Sequence, residues 1–473
     1  MIRNKLSAVA LFSLTLLLAG CRGEYFAEKE FYRASKILNE ATKNPQASAQ
    51  TYHQAIAAFE RVNAKHPGTA KAIQSLFIIA DLKSKQQNYQ GAREALQVVV
   101  QNSAGMGGPK AAEARYRIGQ LYEQEGNWPL AEKAYWETAE YHPYQTYGLY
   151  APVYVVLHYK KASDVASEKK AFIKAKEHFE SLLQDIGAIQ ASAGIRHYLA
   201  LTYLIHDDWM KARDLWLSIT KEMPKHPGAP LALIATADVL TEKTDVAKGI
   251  GLYRQYLKQY PKHTFRGKIL VRLGIVEERR GQHSRSRKWF ERAMEYYKDK
   301  KTARAELKLF IASTYEKEGL WPKAEAGYQD LRRDHPLTLA AMQVPVILYD
   351  HYRSAGDKQK ALTHLEDGVA YYQELSKKYP GTAIDEQARR FLQAAYIKKG
   401  DWKQLLAFID EEIKREQSSV KQGKWLLVKA VIAEKRLRDK EKARFFYQDF
   451  LARYPDHPLV ATAKQHQQLL TQN

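Results

Sequence analysis

Small, aromatic and proline residues return along this chain at fixed intervals, and the intervals are those of paired helices. Gly119, behind Ile118, is followed by Tyr122, Ala131, Tyr135 and Pro143, at steps of 3, 9, 4 and 8. The same steps run through Ala200, Tyr203, Ala212, Trp216 and Pro224, through Ala237, Leu240, Gly249, Tyr253 and Pro261, and through Ala312, Tyr315, Ala324, Tyr328 and Pro336. A late copy reads Val431, Glu434, Ala443, Tyr447 and Pro455. Two antiparallel helices approach closely only where side chains are small, so Gly or Ala is expected midway along the first helix and early in the second. The aromatic residue four positions on shares that face and fills the space beside it. Proline ends the second helix because it lacks an N–H and biases its predecessor away from helix.

The turn between the helices has its own signature: Gly126-Asn127-Trp128, Asp207-Asp208-Trp209, Gly319-Leu320-Trp321 and Gly400-Asp401-Trp402. Glycine suits the left-handed C-cap and Asn or Asp the next N-cap, while Pro129 and Pro322 fall in the first helical turn, where proline is tolerated. Weaker copies occur around Tyr89, Gly274, Tyr352 and Tyr396. A first hairpin joins Glu24–Lys43 to Ala49–Lys65 across a turn at 44–48, and a degenerate one with a longer insert is expected over 144–194. The reading is an all-α solenoid, a right-handed superhelix of about ten antiparallel helix pairs. Its parts are hairpins over 21–143, the degenerate hairpin, a further solenoid over 195–458, and a capping helix and tail over 459–473.

This pattern resembles the tetratricopeptide repeat, whose order is Leu-Gly, Tyr, Ala, Phe, Pro over 34 residues, the separation that Pro227 and Pro261 keep here. Lys65-His66-Pro67-Gly68-Thr69-Ala70 and Lys378-Tyr379-Pro380-Gly381-Thr382-Ala383 are similar to junctions of BamD-like outer-membrane assembly lipoproteins. That resemblance implies an outer-membrane scaffold. The chain departs from it in length, at about twice theirs, and in holding Arg115, Arg196 and Lys308 where that pattern has tryptophan.

Cys21 is the one cysteine. It follows Arg3, Lys5, an apolar run from Leu6 to Leu18, and Ala19-Gly20, the layout of a secretory signal too short to span a bilayer. Leu18-Ala19-Gly20-Cys21 resembles the lipobox of bacterial lipoproteins, which implies removal of residues 1–20 and acylation at Cys21 with palmitate-type chains. Arg22, in place of the aspartate that retains many such proteins at the inner membrane, points to an outer-membrane anchor facing the periplasm. No disulfide or thiol chemistry remains to the mature chain.

The net charge of +21 becomes +19 without Arg3 and Lys5. Between Arg254 and Lys308 stand 17 Lys and Arg against 6 Asp and Glu. Such an excess favours acidic partners; the alternative is a solvated outer face. The groove phases of the resembling repeat fall on Tyr116, Gln120, His197, Leu201, Lys268 and Arg279, the candidate partner-binding residues.

Catalytic chemistry finds little support. Of the fifteen histidines, His66, His142, His226, His335 and His457 adjoin proline, where helix C-terminal caps favoured by the dipole are expected rather than metal ligands. Gly105-Met106-Gly107-Gly108-Pro109 has no following Lys-Ser/Thr, so it reads as a connector rather than a phosphate cradle. The aromatic residues at the turns read as packing rather than sugar stacking. No cofactor, metal or catalytic residue is expected, and a periplasmic address excludes nucleic acid. The expected function is a non-catalytic scaffold for periplasmic or outer-membrane proteins, acidic ones among them. The alternatives are an accessory lipoprotein of exopolysaccharide export that meets an anionic glycan, and a peptidoglycan-associated, lytic-transglycosylase-like protein, whose Gly-Leu-Met-Gln stretch does not occur here.

Overall fold

The computed structural model describes residues 24–42, 49–102, 108–185 and 189–472, and no strand occurs among them. The leader, Cys21, the turn at 44–48 and Gly105–Gly107 lie outside the described residues. Helices alternate as the spacing predicts: α1 (24–42), α2 (Ala49–Lys65), α3 (Ala70–Lys85), α4 (Tyr89–Asn102), α5 (Pro109–Gln124), α6 (Trp128–Tyr141), α7 (Thr146–Lys161), α8 (Val165–Asp185), α9 (Ile189–Ile205), α10 (Trp209–Glu222), α11 (Ala229–Lys243) and α12 (Val246–Gln259). They continue as α13 (Arg266–Arg279), α14 (His283–Tyr296), α15 (Lys301–Lys317), α16 (Trp321–Asp334), α17 (Leu339–Ser354), α18 (Lys358–Lys378), α19 (Ala383–Lys399), α20 (Trp402–Arg415), α21 (Ser419–Ile432), α22 (Lys440–Arg453) and α23 (Val460–Gln472).

The small residues sit where the backbones meet. Ala131, Ala212, Ala324 and Ala443 are fully buried, and the aromatic residue four positions on, Tyr135, Trp216, Tyr328 or Tyr447, is buried with it. At the turns Gly126, Gly319 and Gly400 take positive φ (81°, 78° and 73°), as does Asp207 at 67°. Asn127, Asp208 and Asp401 then cap the second helices, their side chains accepting the N–H of Leu130, Lys211 and Gln404. At the end of the chain, Ala463 and Leu470 of α23 are buried in the same apolar cluster as Tyr447 and Phe450 of α22.

Two compact units divide the chain, one ending at Pro261 and the next beginning at Lys262, inside the stretch 195–458. The units repeat one another. Adding 193 to the residue numbers carries α6 onto α16, α7 onto α17, α8 onto α18 and α10 onto α20 with both ends coincident; adding 194 does so for α4 and α14, α9 and α19, and α12 and α22. The longer insert expected in 144–194 is thereby resolved: the surplus lies in α8, which has 21 residues, and it recurs in the 21 residues of α18. Identity between the copies is concentrated at one corner, where 9 of the 14 positions from Tyr122 to Tyr135 match those from Tyr315 to Tyr328.

Candidate partner-binding surfaces

The matched corner is a polar ladder held by aromatic rings. In the first unit Trp128 stacks on His158 with centroids 3.2 Å apart, and its Nε1 donates to the Tyr159 hydroxyl at 2.9 Å, which donates to Glu132 at 2.6 Å. Glu123 accepts from Tyr135 at 3.0 Å and from Tyr154 at 2.9 Å. The second unit repeats this with Trp321 on His351 at 3.2 Å, Trp321 Nε1 to Tyr352 at 3.0 Å, Tyr352 to Glu325 at 2.7 Å and Tyr328 to Glu316 at 2.6 Å. The Tyr135 and Tyr328 hydroxyls are pushed far upward in pKa, first by burial and then by the neighbouring carboxylate, so both remain donors. The turn tryptophans therefore tie the start of one hairpin's second helix to the end of the next hairpin's first helix. The packing reading of these aromatic positions holds at both copies.

Four of the five histidines beside proline divide into two kinds. His142 and His335 occupy C-cap positions, but burial, with nearby cations, pulls their pKa down, so the dipole does not hold a charged ring there. His226 and His457 instead use Nδ1 to accept the N–H two residues on, from Gly228 at 2.9 Å and Leu459 at 3.1 Å. They shape the turn into the next helix. Among the described residues no group of three or more His, Cys, Asp or Glu is placed to hold a metal ion, and no helix is long and apolar enough to cross a membrane.

Of the six groove candidates, Gln120 (α5), Lys268 and Arg279 (α13) are exposed, and His197 and Leu201 (α9) are half-buried. Tyr116 departs from its expected role. It is 4% exposed, enclosed by the rings of Tyr135, Tyr147 and Tyr150 at 5.0, 5.2 and 5.7 Å. The repeat phase places Tyr116 on the groove side of α5, but the large side chains of α7 cover it, so it belongs to the core. His197 accepts the Nε1 proton of buried Trp216 at 3.1 Å; burial lowers its pKa, which keeps the accepting ring neutral.

Lys268 lines a defined cleft. The cleft runs between α13 and α15 in the second unit, has a volume of about 850 Å³, and is floored by Val271, Leu307 and Phe310. Its rim carries Lys268, Arg272, Lys300 and Lys301 against Asp299 and Glu306, and Tyr297 forms one wall. Tyr297 reaches α13 because Gly267 has no side chain: a Cβ there would lie 2.4 Å from the tyrosine oxygen. Arg279, about two turns past the last lining residue of α13, is not part of it.

A second polar feature lies between α19 and α20, where Asp385 is fully buried. It accepts from Ser376 at 2.5 Å, from the Gly381 N–H at 2.8 Å, and from Arg415. Burial alone would raise its pKa, but these donors outweigh burial and the net shift is downward. The stabilisation is therefore complete above the ordinary value of 3.8 and is lost as pH falls through the lowered folded-state value. Asp385→Asn is expected to cost about 2 kcal/mol at neutral pH, with the gap to the parent shrinking in acid. Urea unfolding at pH 7 and pH 3 reads both quantities, and a gap that is equal at the two pH values contradicts the assignment.

Sequence models of the tetratricopeptide repeat match residues 79–143 and 426–457, which cover most of α3 to α6 and of α21 and α22. The helix pairs within those two stretches match the tetratricopeptide repeat. The all-α fold of each unit is accordingly a tetratricopeptide-repeat solenoid, an architecture that serves protein–protein interaction. No curated protein matches the chain. Among solved structures, the Naa15/Naa10 complex bound to HypK-THB is 14% identical over 93% of this chain, which spans 66% of that one, with a TM-score of 0.34. Yeast Tom70 is 10% identical over 95% of this chain and 96% of its own, with a TM-score of 0.34. A tetratricopeptide repeat protein from Parabacteroides merdae is 14% identical over 60% of this chain and 98% of its own, with a TM-score of 0.33.

Proposed function

We propose that this protein is a non-catalytic scaffold, anchored through lipid at Cys21 to the outer membrane and facing the periplasm, whose tetratricopeptide hairpins assemble partners into an envelope complex. The observation that carries the scaffold is the basic-rimmed, apolar-floored cleft on first-helix side chains of the second unit. The lipobox-like Leu18-Ala19-Gly20-Cys21 supports the anchor. Two or more acyl chains hold a protein durably at a bilayer, whereas one is marginal.

Cys21→Ser is expected to abolish incorporation of an alkyne-labelled palmitate and to move the protein from the outer-membrane fraction to the soluble periplasmic fraction. A variant that still sediments with the outer membrane would overturn the anchor. The second reading, binding of an anionic exopolysaccharide, draws on the basic stretch from Arg254 to Lys308. A gel shift with purified anionic polysaccharide separates it from the first.

A further inference from the structure

The two units act as controls for each other, because each shows what the shared frame can do without. In the first unit, Phe77 stands 194 positions before Val271 and Arg117 stands 193 before Phe310. The Arg117 guanidinium lies 4.9 Å from the Phe77 centroid and the Lys110 ammonium lies 5.3 Å from it. Glu113 at 2.9 Å and Asp81 at 3.1 Å hold Arg117 in place. That ring is thus capped by the protein's own cations. In the second unit the capping arginine has become Phe310 and the large ring has become Val271. Phe310 rests on Phe290 at 5.3 Å yet is 38% exposed. The positions of Gln74 and Ile78 have meanwhile become Lys268 and Arg272. The same hairpins fold in the first unit with that ring buried beneath its cations, so folding does not require an open apolar floor.

We propose that the cleft between α13 and α15 docks an acidic segment of a partner protein that inserts one large apolar side chain over Val271 and Phe310. The inference rests on the scaffold reading and names the chemistry of its partner. The volume, about 850 Å³, is ample for one such side chain with its flanking backbone. A buried apolar anchor supplies the affinity. Lys268, Arg272, Lys300 and Lys301 steer the flanking carboxylates and fix the register. Asp299 and Glu306 on the same rim repel a ligand charged at every unit, which favours a peptide with spaced acidic residues over a uniformly anionic glycan.

The test uses the full chain, purified in detergent, and a fluorescein-labelled peptide with spaced acidic residues, Asp-Ser-Glu-Ser-Trp-Ser-Glu-Ser-Asp, with its Trp→Ser form as control. Polarisation is expected to show binding of the first peptide at least about tenfold tighter than of the second, weakening as salt rises. Phe310→Arg, which installs the first unit's residue, and the double variant Lys268→Glu with Lys301→Glu should each weaken binding about tenfold or more. Both substitute exposed positions, and circular dichroism checks that they fold. Equal binding of the two peptides, or folded variants that bind like the parent, would overturn the cleft while leaving scaffolding by other hairpins standing. Displacement of the peptide by polygalacturonate at lower mass concentration than by unlabelled peptide would overturn it in favour of a glycan. The Cys21 experiment reads the anchor independently of either result.

Discussion

Gly148→Ala is expected to destabilise the first unit by about 3 kcal/mol, the upper end for overpacking. A Cβ on Gly148 would lie 1.8 Å from the carbonyl oxygen of His142 and 3.2 Å from that of Thr138. Both are backbone atoms, one in the last turn of α6 and one in the turn to α7, and both are engaged: His142 O accepts the Gln145 N–H at 3.0 Å, and Thr138 O accepts the His142 N–H at 3.1 Å. No flexible side chain can give way, so the turn itself must open. The counterpart in the second unit is Ala341, where α17 begins differently, with the Thr338 hydroxyl accepting the Ala341 N–H at 3.3 Å. Ala341→Gly should therefore cost only about 1 kcal/mol, through backbone entropy. Urea unfolding followed by circular dichroism compares the two, and equal midpoints would contradict the tight α6–α7 turn.

Trp216→Ala is expected to cost about 3 to 5 kcal/mol, as for other large-to-small changes in a closed core. Trp216 is 1% exposed, and its loss leaves a void between α9 and α10 and removes the donor to His197. The second unit places Ile409 at the equivalent position. Trp216→Ile, which keeps part of the volume, should fall between the parent and the alanine variant. Identical midpoints for the alanine and isoleucine variants would show that packing is not what this residue supplies.

The hairpins were legible because their determinants are local. Ala131, Tyr135 and Pro143 announce a helix pair within 13 residues of chain, and the same short-range rules place Asn127, Asp208 and Asp401 at caps. The candidate site was legible only in part. Lys268 emerged from the repeat phase, but Arg272, Lys300, Lys301 and the floor of Val271, Leu307 and Phe310 did not, although comparing positions 193 or 194 apart would have exposed Phe310 and Val271 as departures. Tyr116 was misplaced because phase tells which side of a helix a residue occupies and not how large its neighbours on α7 are.

By itself, then, the amino-acid order determined an all-α stack of antiparallel helix pairs, since close packing of two adjacent helices depends on a few small and aromatic residues at fixed short spacings. It also determined the uneven distribution of charge. What only the tertiary structure decided was which of those surfaces stay open: that Tyr116 is sealed, that Arg117 caps Phe77, and that the corresponding place between α13 and α15 is a cleft. Those outcomes depend on side chains 30 to 40 positions apart meeting across neighbouring hairpins, and a one-dimensional period carries no record of such contacts.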